Sequence, residues 1–480
     1  MAAQKYAKGE AVVHGRQRWR NIAGRPERAA PFLLISPFMM RFSIPALSAG
    51  VVLALASSPA QAQTSDLDAR IAQLATQEEP KVIAWRRDIH EHPELGNQET
   101  RTAALIAAHL KKLGLEVQTG VGRTGVVGIL RGGKPGPVVA LRADMDGLPL
   151  TETSGLPFAS KVTTTYLGQP VGVMHACGHD THVAMLMGAA EVLSQVKKDL
   201  PGTVKFIFQP AEEGSMPGVE GGAKLMVKEG VLDKPKVDAV FGVHINAQTE
   251  VGNLTYRSGG EMASSDRFTI KVHGKGSHGA YPWNSVDPVV TAAQIILGLQ
   301  TIVSRQVKLI DDAAVVTVGT INGGVRYNVI PPDVELSGTV RALNPVVQQQ
   351  IWASIRRIAT NIAESAGATA DVTIDPYVPV TINSPALTAQ MLPTLQAAAG
   401  PAHVREIKAV TGAEDFSFYQ EKVPGLFLFV GGMAKGQDPA TTADHHTAGF
   451  RIDESGLTLG VKTLATLAAD YLGQGRELQK

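Results

Sequence analysis

The sequence predicts an α/β fold, a mostly parallel sheet domain interrupted by an inserted ferredoxin-like βαββαβ satellite. Three observations predict it. Apolar runs with little alternation, over residues 203–209 and 239–244, fall between helical stretches, as strands buried on both faces do. The middle of the chain switches to alternating, half-buried strands in the order β-α-β-β-α-β, the split unit of ferredoxin-like domains. After Asn383 the first pattern resumes.

The 480 residues leave room for about three domains of ~150 residues each. With 44% hydrophobic and 19% charged residues, the chain is not disordered, collagen-like or a polytopic membrane protein. A net charge of +1 is too near neutral to suggest a nucleic-acid binder. One cysteine, Cys177, excludes an intrachain disulfide.

The elements follow in order. Met40-Arg41, an apolar stretch over 44–56 and Ala60-Gln61-Ala62 read as a secretory signal peptide cut after Ala62. Met39 or Met40 is then the true start, and residues 1–39 a basic extension. Residues 1–62 hold eight Lys or Arg and two Glu, leaving the remainder near −5, as suits a soluble protein. The expectation is a periplasmic or secreted protein, with no membrane association after cleavage.

Helices are predicted over 66–92, 100–113 and 182–196, with strands over 125–130, 137–142, 203–209 and 239–244. The insert has strands over 267–273, 315–321, 334–341 and 368–374, and helices over 286–303 and 345–366. A helix ending at 399, strands over 404–410 and 425–430, and a helix over 454–471 close the chain. The expected divisions are 1–62 for extension and signal, 63–257 and 377–480 for the larger domain, and 258–376 for the satellite.

Ionisable residues stand where several strands end. The strand over 137–142 runs into Asp144-Met145-Asp146-Gly147, and that over 203–209 into Pro210-Ala211-Glu212-Glu213-Gly214. Another stops at His244, and the one over 404–410 is followed by Gly412-Ala413-Glu414-Asp415. In open α/β sheets the ligand crevice lies beyond the carboxyl ends of the strands. His175-Ala176-Cys177-Gly178-His179-Asp180-Thr181-His182 adds thiolate, imidazole and carboxylate donors, a mix suited to zinc or another late first-row ion. Alone it also reads as a small core cysteine among incidental histidines. With Glu212-Glu213, His244 and His445-His446 it reads as a metal site. One of two adjacent glutamates can ligate while the other takes a proton from metal-activated water. The residues alone choose neither between Glu212 and Glu213 nor between His445 and His446.

These motifs, with Asp144-Met145-Asp146-Gly147-Leu148-Pro149 and His445-His446-Thr447, resemble the M20 metallopeptidase family. The likeness is to its amidohydrolase branch, which includes hippurate hydrolase and the N-acyl- and indoleacetyl-amino-acid hydrolases. Trp85-Arg86-Arg87-Asp88-Ile89-His90-Glu91-His92-Pro93-Glu94-Leu95 matches the branch's N-terminal signature, and the resemblance spans about residues 70–470. It implies a catalytic domain holding two divalent ions, Zn or Mn with Ni or Co as options, on Cys177, His179, Glu213, His244 and His446. It implies Glu212 as base and His278, in Gly274-Lys275-Gly276-Ser277-His278-Gly279-Ala280, as the oxyanion donor. Asn328 and Arg341 are implied to bind the free carboxylate of a small-molecule substrate, and the satellite to pair two subunits. Two departures stand out. Ala448 replaces a usual Pro, and Asn246-Ala247-Gln248-Thr249 replaces Trp-Pro or Pro-rich text beside His244, which alters the pocket wall.

The activity implied is hydrolysis of the amide bond of N-acyl amino acids. A dipeptidase or carboxypeptidase using the same site is the alternative, and a catalytically silent binder of metal or amino-acid conjugates the alternative from another class. Two G-x-G-x-x-G matches, starting at Gly120 and Gly274, lack the strand-to-helix context of dinucleotide binding. There is no G-x-S-x-G elbow, and Cys177 among so many ligands is better placed on a metal than as a nucleophile.

Overall fold

The computed structural model describes residues 66–310 and 313–474, and the predicted signal peptide lies outside the described residues. Helices α1 (Asp66–Glu91) and α2 (Thr100–Lys112) precede strands β1 (Glu116–Val121), β2 (Gly125–Arg131) and β3 (Lys134–Asp144). Next come α3 (His179–Val196), β4 (Pro201–Gln209), β5 (Ala239–Glu250) and β6 (Leu254–Tyr256). The satellite comprises β7 (Ser265–His273), α4 (Pro288–Thr301), β8 (Ala314–Gly323), β9 (Asp333–Ala342), α5 (Pro345–Ser365) and β10 (Thr369–Val378). The chain returns through α6 (Pro385–Ala399), β11 (Val404–Glu406), β12 (Gly425–Met433) and α7 (Leu457–Gln474).

The large sheet runs β1-β2-β4-β3-β5-β12-β6-β11. Its four central strands, β4, β3, β5 and β12, are parallel, and antiparallel pairs occur only toward its margins. Side-chain alternation explains the two covered faces. On β3, Val139 and Leu141 pack into the core shared with α1, α3 and α7, while Ala140 joins Ile207, Val240 and Phe416 on the other face. Fully burying a side chain such as Leu141 is worth about 1.5–3 kcal/mol.

The satellite sheet is antiparallel throughout, in the order β8-β9-β7-β10, the ferredoxin-like arrangement. Both of its helices start on an acid or amide followed by proline. Asp287 accepts from the amides of Val289 and Val290, and Asn344 from that of Val346. Such caps satisfy amides left free at a helix start, and proline there forfeits no hydrogen bond. The sheet runs from Ser265 to Val378. Beneath it, Gly259–Met262 pairs with Thr381–Asn383 as a two-stranded tie to the larger domain.

Three elements differ from expectation. The strand expected to stop at His244 continues to Glu250, because β12 carries the ladder on to Met433 opposite Glu250. The strand expected over 404–410 ends at Glu406. There the Ile407 amide still donates to Tyr256, and the chain then crosses to the satellite link, where Val410 donates to the Glu261 carbonyl. Strand β1 was not expected, since its edge position leaves most of Glu116–Val121 exposed and without an apolar run.

Candidate metal centre

The five expected ligands converge at the carboxyl ends of the central strands. Donor atoms of Cys177, His179 and His244 lie within 4.8 Å of one another, as do those of Cys177, Glu213 and His446. The two groups share the Cys177 sulfur, and His179 also groups with Glu212 and Glu213. Cys177 Sγ is 3.4 Å from His244 Nε2, and His446 Nε2 is 2.9 Å from Glu213 Oε1. The late histidine reaches a cysteine 269 positions earlier in the chain because its loop is stapled there. The His446 amide donates to the Ala176 carbonyl at 2.9 Å, with His446 held at a left-handed φ of 60°.

Hydrogen bonds assign the histidine tautomers. His244 donates from Nδ1 to the Ile245 carbonyl at 2.6 Å, which turns its Nε2 lone pair toward the sulfur. His179 donates from Nδ1 to Asp146 at 3.1 Å, and its buried Nε2 has no hydrogen-bond partner among the described residues, with carboxylate oxygens of Asp144, Glu212 and Glu213 at 3.7–4.0 Å. A carboxylate behind a ligating histidine is the usual way to fix ring and tautomer. His445 and His182 are fully engaged. His445 Nδ1 donates to the Cys177 carbonyl and Nε2 accepts from the Ala247 amide, both at 3.0 Å. His182 Nδ1 donates to Asp144 at 2.5 Å and Nε2 accepts from the Ile245 amide at 2.8 Å. The geometry thereby commits His445 to the backbone and leaves His446, not His445, facing Cys177 and Glu213.

The electrostatics call for positive charge at this point. Burial, together with Glu213 and Glu212, pushes the Cys177 thiol well up. Burial disfavours a charged His179, yet Asp144, Asp146 and Glu213 push it up to about 10. Burial and the neighbouring His182 and His445 keep His244 neutral, its pKa well below the usual range. Orphaned Nε2, clustered anions and neutral imidazole together fit divalent cations.

Glu212 stands beside the ligand set and outside it. Burial, with Glu414, Glu213 and Asp415 around it, raises its carboxyl well above the usual range. Behind it lies a network that the sequence reading missed, centred on Arg142, which is 1% exposed. Its guanidinium pairs with Asp144 at 2.7 Å and with Glu414 and Asp415 at 2.9 Å, and donates to Gln209 at 2.9 Å. The strand-end carboxylates Asp144 and Asp415 were visible in sequence, but no signal pointed to their shared cation.

The centre opens into a cavity of about 600 Å³ whose walls include Cys177, Glu212, Glu213, His244, His446 and Arg341. The satellite therefore contributes Arg341 to the cavity that the ligands line. His278 and Asn328 lie together elsewhere, on a hairpin where His278 pairs with Val329 and Gly279 donates to the Asn328 carbonyl. Neither lines the cavity within this single chain.

Fold and donor set define a hydrolase of the dinuclear-metal class. The family model described as Peptidase family M20/M25/M40 matches residues 140–470, and the chain belongs to that family. It is similar to thermostable carboxypeptidase 2 of Saccharolobus solfataricus, 42% identical over 392 residues, 81% of this chain and 95% of the relative. It is also similar to N-acetylcysteine deacetylase of Bacillus subtilis, 40% identical over 395 residues, 82% of this chain and 97% of that protein. Among solved structures, a dinuclear metal binding peptidase of the M20 family from Bacillus subtilis is 37% identical with a TM-score of 0.70, covering 83% of this chain and 99% of that one.

Proposed function

We propose that the protein hydrolyses the amide bond of N-acyl amino acids. The observation that carries this reading is a single cavity lined by Cys177, Glu213, His244 and His446 of the donor set, with His179 grouped behind them, together with Glu212 and Arg341. Cys177, His179, Glu213, His244 and His446 would hold two divalent ions, Zn or Mn with Ni or Co as options. When bound, such ions acidify water and polarise a carbonyl. Glu212 takes the proton of the attacking water and returns it to the leaving amine. Arg341 orients the substrate carboxylate through its two-pronged guanidinium.

A second copy belongs to this reading. Beside His278 and Asn328, Val325 and Tyr327 are 96% and 94% exposed, an apolar surface suited to burial against another chain. Pairing through the satellites would carry His278 into the other copy's cavity, where a donor aimed at developing charge contributes about 3–4 kcal/mol. Mixing Glu212→Gln and His278→Ala chains should then restore activity that neither has alone. The signal over about residues 40–62 supports a periplasmic or secreted enzyme, acting without nucleic acid or membrane.

The test is a substrate panel with Mn or Zn added. N-acetyl and N-benzoyl amino acids should turn over faster than dipeptides. Faster dipeptide cleavage would replace the reading with the peptidase one, and bound metal with no turnover would leave a binding protein.

A further inference from the structure

One half of the substrate meets an apolar wall. Beyond the ligands, the 600 Å³ cavity is bounded by Met262, Val378, Ile407, Val410 and Phe429, with Arg341 among them. The wall is anchored. Met262 bridges to Val410, the Val410 amide donates to Glu261 at 2.9 Å and the Ala263 amide to Gly412 at 2.8 Å. It is therefore a built surface at the junction of the two domains and not a loose loop.

Arg341 is available for a carboxylate. It donates to Thr339 Oγ1 and, at 3.0 Å, to the Val340 carbonyl, and makes no ion pair among the described residues. The neighbouring Asp266 is taken up by Gln348 at 2.9 Å and Trp352 at 3.1 Å.

The connectivity of an N-acyl amino acid does the rest. Carboxylate and side chain branch from the same carbon, whereas the acyl group lies across the amide nitrogen. A carboxylate on Arg341 would set the side chain toward the Met262, Ile407 and Phe429 wall and the acyl group toward the Glu212 end of the cavity. There a second cavity of about 440 Å³, sharing Glu212, Tyr377 and Val378, sets the charged Glu220, Lys224, Arg267 and Asp375 among Met216, Val219 and Phe418, a mixed lining that singles out no acyl type. Resting on the amidohydrolase reading, we propose that the enzyme selects N-acyl derivatives of large apolar amino acids, with phenylalanine, leucine and methionine preferred. Selectivity lies in the amino-acid half, not the acyl half.

The test uses the full-length, metal-loaded protein. Filling an apolar pocket is worth about 10- to 100-fold in specificity, so kcat/KM for N-acetylphenylalanine and N-acetylleucine should exceed that for N-acetylglycine by about that factor. The order should persist in the N-benzoyl series, with N-acetylglutamate and N-acetyllysine no better than glycine. Val410→Asp should lower the phenylalanine-to-glycine ratio by about 10-fold. Arg341→Ala should depress both substrates alike and leave the ratio. Calorimetric titration of metal-loaded Glu212→Gln protein should rank N-acetylphenylalanine above N-acetylglycine. Equal kcat/KM across side chains, a preference for charged ones, or a ranking that follows the acyl group would overturn the proposal. Absence of all N-acyl amino acid turnover would instead remove the amidohydrolase reading, and titration of the wild-type protein would still decide the ranking.

Discussion

Replacing Arg142 with methionine removes a cation from the middle of three carboxylates while keeping most of the side chain's bulk. Removing one partner of a buried ion pair costs about 3–5 kcal/mol, because the other charge is left uncompensated. Arg142 serves Asp144, Glu414 and Asp415, all within 2.9 Å, so the upper end applies. At roughly 2 °C per kcal/mol for a large domain, the metal-free protein should lose about 10 °C in Tm. The loss should depend on pH. Burial already pushes Glu414 up to about 8 and Asp415 to about 6 against the pull of Arg142, and both rise further without it. Carboxyls raised in the folded state bind protons that the unfolded chain releases, so stability falls as pH rises from about 4 toward the folded values. Thermal unfolding of chelator-treated wild type and Arg142→Met, followed by circular dichroism at pH 5 and pH 8, should show the larger deficit at pH 8. A deficit below about 3 °C, or one larger at pH 5, would refute the reasoning.

Glu212→Gln should retain bound metal yet lose several orders of magnitude in kcat, and near-normal turnover would displace Glu212 as the base. His446→Ala should lower metal content after dialysis from two ions per chain toward one. Two ions held at wild-type affinity would remove His446 from the ligand set. Burial and the neighbouring Asp68 push Asp470 up to about 6, so its contribution makes stability fall as pH rises from about 4 to 6. Urea midpoints across that range should fall less in Asp470→Asn than in the wild type, and parallel profiles would show that Asp470 does not titrate there.

Much of this architecture was readable before any coordinates. Strand β12 is apolar on both faces, and β4 carries Val204, Phe206 and Phe208 on one face and Ile207 among Thr203, Lys205 and Gln209 on the other, so their burial is largely written in composition, and the satellite's alternation marks a sheet covered on one side. Strand β1 was not readable, because an exposed edge needs backbone pairing and few apolar residues. The ligand types were legible through their crowding at strand ends, but the choice within each adjacent pair was not. His445 and His446 are equivalent as text. They part only because the Cys177 carbonyl and Ala247 amide occupy both nitrogens of His445. Arg142 read as an ordinary strand residue because two of its partners stand more than 270 positions away.

That network also explains why the centre sits on the parallel strands. Asp144 ends β3, Glu212 and Glu213 follow β4, and His244 lies within β5 opposite Phe429 of β12. Adjacent parallel strands bring these ends about 5 Å apart, and so concentrate acidic groups from distant parts of the chain in one dry place. Such crowding is unfavourable unless cations offset it. Arg142 does so on the Glu414 and Asp415 side. On the Cys177 and Glu213 side His244 is held neutral by burial, while Asp144, Asp146 and Glu213 draw positive charge onto His179. The two sides differ in kind: a fixed guanidinium offsets the carboxylates behind Glu212, whereas in front of it their field falls on imidazoles and a thiol that can ligate, at the face that opens into the cavity. Glu212 lies on the boundary between the two sides, 3.9 Å from His179 Nε2 and accepting from the Asp415 amide at 3.4 Å, so its carboxyl answers both to the Arg142 network and to the ligand group.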